Sequence, residues 1–113
     1  MPSEDERQPA VATSLNNVVL IYVIDGTLYK RIFTYGSNSW SEVSAVSLGS
    51  HPDLVDRSGT LWVVWESGGD IKVAYSYDGG ETLTAATTLI SNATLPSIVI
   101  LSTGLVGVAC AVS

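Results

Sequence analysis

The residues best suited to chemistry in this chain are few, and most lie within 62–82. Glu66 and Asp70 are carboxylates four positions apart, and acid–base hydrolysis of a glycoside uses carboxylates in pairs. Ser67-Gly68-Gly69 lies between them, so the plainer role is that of solvated turn residues. Trp62, Trp65 and Tyr75 are flat apolar surfaces near those carboxylates. Such rings make platforms for sugars, and they also fill the layers between sheets. Ser76, Asp78, Gly80 and Thr82 are spaced for a reinforced turn. There an Asp carboxylate accepts turn amides, a Gly takes positive φ and a Thr hydroxyl bonds back. The single cysteine, Cys110, sits in an apolar run, and the single histidine, His51, precedes a proline. Nothing in the sequence joins that thiol to a base. Cys/His zinc spacings and carboxylate-rich metal loops are absent, so no metal or cofactor is expected.

Charge narrows the partners. The formal net charge is −6, with five basic residues against eleven acidic ones. Arg7, Lys30, Arg31, Arg57 and Lys72 are scattered, which argues against nucleic acid and anionic membrane surfaces. Hydrophobic residues make up 46% of the chain, enough for a packed core. No apolar run is long enough to span a membrane as a helix. The start, Met1 to Gln8, is acidic and polar, so a mobile tail over 1–8 is expected and a signal peptide is not. Asn92-Ala93-Thr94 fits a glycosylation acceptor, which matters only after secretion.

The elements that must position these residues are strands. Short β-branched and aromatic runs alternate with Gly, Asn, Asp and Ser, and helical periodicity is not visible after residue 8. Strands are expected over 18–24, 28–35, 43–48, 53–55, 61–65, 71–77, 84–89, 97–101 and 105–112, with a weaker one over 10–13. Asp25-Gly26, Ser58-Gly59, Gly68-Gly69, Asp78-Gly79-Gly80 and Thr103-Gly104 supply the turns. Trp62 and Trp65, three apart on one strand, should face opposite sides.

The chain also repeats. VVLIYVIDG from Val18 aligns with TLWVVWESG from Thr60, and RIFTYG from Arg31 with VAYSYD from Val73, both at an offset of 42. Pro9-Ala10-Val11, Pro52-Asp53-Leu54 and Pro96-Ser97-Ile98 open three units, spaced by 43 and 44. That period with four strands per unit is the period of a β-propeller blade. The expectation is a mobile tail over 1–8 and a β-repeat domain over 9–113. Its units cover about 9–50, 51–91 and 92–113, giving about two and a half four-stranded antiparallel blades. The alternative is a small β-sandwich or barrel. Repeats bury their faces against neighbours, so this content predicts a homo-oligomer, or other chains covering the open edges.

The stretch Ser76-Tyr77-Asp78-Gly79-Gly80-Glu81-Thr82-Leu83 resembles the sialidase-type Asp-box, or BNR repeat, with Leu83 replacing the closing Trp. In the first unit Thr34 to Trp40 keeps the Trp, lacks the Asp and is one residue shorter. The resemblance implies a structural turn rather than a catalytic one. It also implies a closing residue that packs inward. The arginine cluster of sialidases is absent, so no catalysis by the chain alone is expected. A second resemblance, through Gly26 and the stretch Tyr29 to Trp40, is to small fucose-binding propeller lectins. It implies architecture only, because that family's ligand-holding Arg and Glu have no counterparts here.

Three functions follow as expectations. The first is a non-catalytic structural or attachment component of a larger assembly, such as a virion or another extracellular surface. The second is a carbohydrate-binding, lectin-like module forming an oligomeric ring. Its weakness is that Trp62 aligns with Leu20, and Trp65 with Val23. The third is a fragment of a sialidase-like glycosidase. Candidate contacts for a ligand or partner are Trp62, Trp65, Tyr75, Glu66 and Asp70. The ligand, the oligomer number and the compartment are not readable from the sequence.

Overall fold

The computed structural model describes residues 9–100 and 106–112, and every regular element among them is a β-strand. The expected tail over 1–8 and the turn at 103–104 lie outside the described residues. The first sheet holds β1 (Ala10–Ser14), β2 (Asn17–Ile24), β3 (Thr27–Thr34), β4 (Ser39–Trp40) and β5 (Ser44–Leu48). The second holds β6 (Ser50–Arg57), β7 (Thr60–Ser67), β8 (Asp70–Ser76) and β9 (Thr87–Ile90). The third holds β10 (Ala93–Ile100) and β11 (Val106–Val112). All pairings are antiparallel, and no sheet closes on itself among the described residues.

Two-residue hairpins explain why neighbouring strands pair. Asp25-Gly26, Ser58-Gly59 and Gly68-Gly69 all have positive φ, the backbone that matches strand twist. Leu15 closes β1 on β2 with φ 55 although it is not a turn former. In the first sheet the outer strand is split. β4 pairs with the end of β3 and β5 with its start, so Ser39–Trp40 is a strand that the sequence pattern did not reveal. Pro52 and Pro96 sit inside β6 and β10 rather than at their first residues. Each lies in a register shift, where no ladder donor is needed.

Strand register corrects the repeat. The turns at 15–16 and 58–59 are 43 apart, as are those at 25–26 and 68–69. The same spacing relates two bonding pairs. Ser41 N donates to Ile32 O at 2.6 Å and Thr84 N to Tyr75 O at 2.9 Å. Ile32 N donates to Ser41 Oγ at 2.9 Å and Tyr75 N to Thr84 Oγ1 at 3.0 Å. The equivalence is therefore 43 residues, not 42. A shift of one exchanges the two faces of every strand, so Trp62 corresponds to Val19 and Trp65 to Tyr22.

With that phase the packing is uniform. Each sheet has a leading face toward the next sheet in the chain and a trailing face toward the previous one. Val19, Ile21, Val23, Leu28 and Ile32 on the leading face of the first sheet meet Leu54, Leu61, Val63, Trp65 and Ala74 on the trailing face of the second. Val64, Ile71, Trp62 and Val73 on the leading face of the second meet Ile98, Val108 and Cys110 of the third. Each fully buried Val, Leu or Ile contributes about 1.5–3 kcal/mol, so these two seams hold the sheets in order. Main-chain bonds repeat across them. Gly49 N donates to Gly26 O at 2.8 Å, and Ala93 N to Gly69 O at 3.0 Å.

Candidate functional site

The turn over 76–82 is built from its own side chains. β8 ends at Ser76, whose side chain is buried. Its Oγ accepts the amide of Gly80 at 2.9 Å and donates to Asp78 Oδ1 at 2.7 Å. Asp78 Oδ1 also accepts the amide of Thr82 at 2.9 Å, and Asp78 Oδ2 accepts the Thr82 hydroxyl at 2.6 Å. Those bonds favour the ionised form. The Thr82 hydroxyl first, then the Thr82 amide and Ser76, lower the Asp78 carboxyl from 3.8 to about 2. Gly79 and Gly80 take φ 73 and 86.

The same turn is fastened to the first sheet. Asn17 Nδ2 donates to Gly79 O at 2.9 Å, and Lys30 Nζ donates to Gly80 O at 2.6 Å and Glu81 O at 2.8 Å. Burial pulls the Lys30 ammonium below its ordinary range, while Glu81 and Asp78 act the other way. At 43-residue spacing the counterpart of 76–83 is 33–40. The first-unit stretch therefore has the same length, not one residue less. Phe33, Tyr35 and Ser37 stand where Ser76, Asp78 and Gly80 stand, so the Ser76 hydroxyl and the Asp78 carboxylate that reinforce the later turn have no counterpart in the earlier one, while Ser39 stands where Thr82 stands.

Leu83 packs against the core between the first two sheets. Trp40, its counterpart, does not pack inward as expected of the closing residue. It is 47% exposed, 5.3 Å from the Phe33 ring, with the Arg31 guanidinium 5.6 Å above it. The reason is positional: Leu83 has a sheet in front of it and Trp40 has none among the described residues.

The remaining candidates divide between two seams. Trp65 is buried between the first and second sheets, and its Nε1 has no acceptor among the described residues. Trp62 lies on the opposite face, as its spacing requires, half-buried toward the third sheet and 5.0 Å from the Tyr75 ring. Glu66 Oε1 is 3.2 Å from His51 Nδ1, whereas Asp70 Oδ1 accepts the Asn92 amide at 3.1 Å. The structure thus gives each carboxylate its own neighbour. A cleft of about 330 Å³ opens beside Trp65, lined by Lys30, Ser44, Ser47, Leu83 and Thr84 among others.

The feature that sequence reasoning missed is the trailing face of the first sheet. It carries Val11, Leu20, Tyr22, Tyr29, Arg31 and Phe33, and Pro9, Leu20, Tyr22, Ile24 and Arg31 line a hollow of about 340 Å³ on it. Tyr22 and Tyr29 pair across strands with ring centres 6.0 Å apart. Val11, Leu54 and Ile98 are the third residues of the three Pro triplets. Leu54 and Ile98 are each 6% exposed and Val11 is 61%. The triplets were the available signal, because they mark equivalent positions in the amino-acid sequence itself.

Among the described residues no cluster of three His, Cys, Asp or Glu side chains is placed to hold a metal ion. Among the described residues no helix is long and apolar enough to cross a membrane. Searches against known protein families, curated proteins and solved structures find no match to the chain.

Proposed function

We propose that the chain is a non-catalytic, propeller-type module that acts as a structural or attachment component of a larger assembly, such as a virion. In this reading each sheet is a blade, the third in part, and the 76–82 turn is a structural Asp-box. The 43-residue equivalence and the uniform stacking of leading on trailing faces support the blade reading. The observation that carries the function is the open trailing face of the first sheet. Its counterparts Leu54, Val63, Trp65 and Ala74 in the second sheet and Ile98 in the third are buried, whereas Val11 is exposed and Leu20, Tyr22, Tyr29 and Phe33 stay half-buried with no sheet over them among the described residues. Asp78 supports a non-catalytic role, since both its oxygens are engaged by its own turn.

A carbohydrate-binding role is the second reading, favoured by the cleft beside Trp65, which Lys30, Ser44, Ser47 and Thr84 help to line. The test is light scattering over a concentration series, with a glycan array run on the same preparation. The assembly reading expects concentration-dependent association and a silent array. A specific array signal from a preparation whose mass stays that of one chain would replace it with the lectin reading.

A further inference from the structure

The geometry points to a second copy of this chain as the occupant of the open face, docked head to tail. The leading face of one copy's third sheet would cover the trailing face of the next copy's first sheet. This rests on the assembly reading above and names its partner.

Both seams inside the chain join a leading face to a trailing face, and never two faces of one kind. The described residues leave one of each open: the trailing face of the first sheet and the leading face of the third. The first presents Val11, Leu20 and Tyr22. The second is marked by Ser97, which is exposed, and by Gly107. The two are complementary in position, because each is the counterpart of a surface already paired in the chain.

One bond shows how the fit would be made. At the inner seam Asp53 Oδ2 accepts the amide of Ile98 at 2.9 Å. Ser97 stands where Asp53 stands, one unit on, and Val11 stands where Ile98 stands. A Ser97 hydroxyl can accept the Val11 amide of the next copy in the same way. Val11, Leu54 and Ile98 would then all be covered. The hollow formed by Leu20, Tyr22 and Arg31 lies over the inner strands, and the third sheet consists of two such strands. A contact of this kind is heterologous. It therefore builds a closed ring or an open array rather than a two-fold dimer.

The experiment uses two single variants on exposed positions, Val11→Arg on the trailing face and Ser97→Arg on the leading face. Circular dichroism and thermal unfolding verify that both fold. By light scattering at high micromolar concentration the wild type has the mass of several chains and each variant alone has the mass of one. An equimolar mixture has the mass of two, because each variant retains the face that the other lacks. Three results overturn the inference: a folded wild type with the mass of one chain, variants that associate like the wild type, or folded variants that stay apart when mixed. Association that persists in both variants removes the head-to-tail contact and leaves the assembly reading standing. A monomeric wild type with a specific array signal removes both.

Discussion

Lys30 Nζ, on β3 of the first sheet, donates to the carbonyl oxygen of Gly80 at 2.6 Å, fifty residues on in the second. With the bond to Glu81 O it ties the turn over 76–82 to its neighbour. The turn is thus a buttress between sheets as well as the end of a strand pair. Lys30→Met keeps the stem and removes both bonds. It should destabilise the chain by about 1–2 kcal/mol, through two unmade hydrogen bonds at a half-buried site, read as a lower urea midpoint at unchanged slope.

Asp78 should matter to stability with a defined pH window. Its folded pKa lies below the unfolded value, so its contribution is fully present above about pH 4. It is lost as pH falls toward the folded value of about 2. Asp78→Ala should cost about 1 kcal/mol at neutral pH through lost turn bonds. The difference between wild type and variant should shrink between pH 4 and pH 2, by less than about 1 kcal/mol because the carboxyl is exposed. Urea unfolding of both proteins across that range is the measurement.

Gly49 and Gly26 both have positive φ and should answer differently to alanine. A Cβ on Gly49 would meet Glu66 O at 2.5 Å and Trp65 Cδ1 at 2.6 Å, both in the packed seam. A Cβ on Gly26 would meet nothing within 4 Å. Gly26→Ala should cost about 1–2 kcal/mol, the backbone strain alone. Gly49→Ala should cost about twice that or more, since overpacking is added. Thermal unfolding of the pair measures the difference.

Trp65 fills the first seam with an indole N–H that has no acceptor among the described residues. Trp65→Phe should therefore be milder than its volume change suggests, about 1–2 kcal/mol, because an unsatisfied donor leaves with the ring edge. Trp65→Ala should cost about 3–5 kcal/mol by opening a cavity. Equal losses in the two variants would show that the N–H is satisfied in solution.

Leu15 occupies a left-handed turn position at φ 55 and is mostly exposed. Leu15→Gly should raise stability by about 0.5–1 kcal/mol, since relief of the strain exceeds the backbone entropy that glycine adds. A lower melting temperature would instead assign Leu15 a packing role against Gly59, whose Cβ position lies 3.6 Å from Leu15 Cδ2.

The sequence alone determined that the chain is all-β, where its principal strands lie, and the turns at Asp25-Gly26, Ser58-Gly59 and Gly68-Gly69. Those features are local: β-branched runs favour extended backbone, and Asp-Gly, Ser-Gly and Gly-Gly supply positive φ wherever they occur. The chemistry of the 76–82 turn was legible for the same reason, since Ser76, Asp78 and Thr82 bond within one short loop. The phase of the repeat was not. VVLIYV and LWVVW are both apolar at both parities, although the second is packed on two faces and the first on one. Matching them at 42 or 43 is then equally good, and alternation carries no record of which side is which. Only the pairing of strands across the hairpins fixes the phase. Which faces are covered and which stays open is likewise a property of neighbours. Trp40 and Leu83 hold equivalent positions, and only the sheet in front of one and not the other makes the first exposed and the second half-buried.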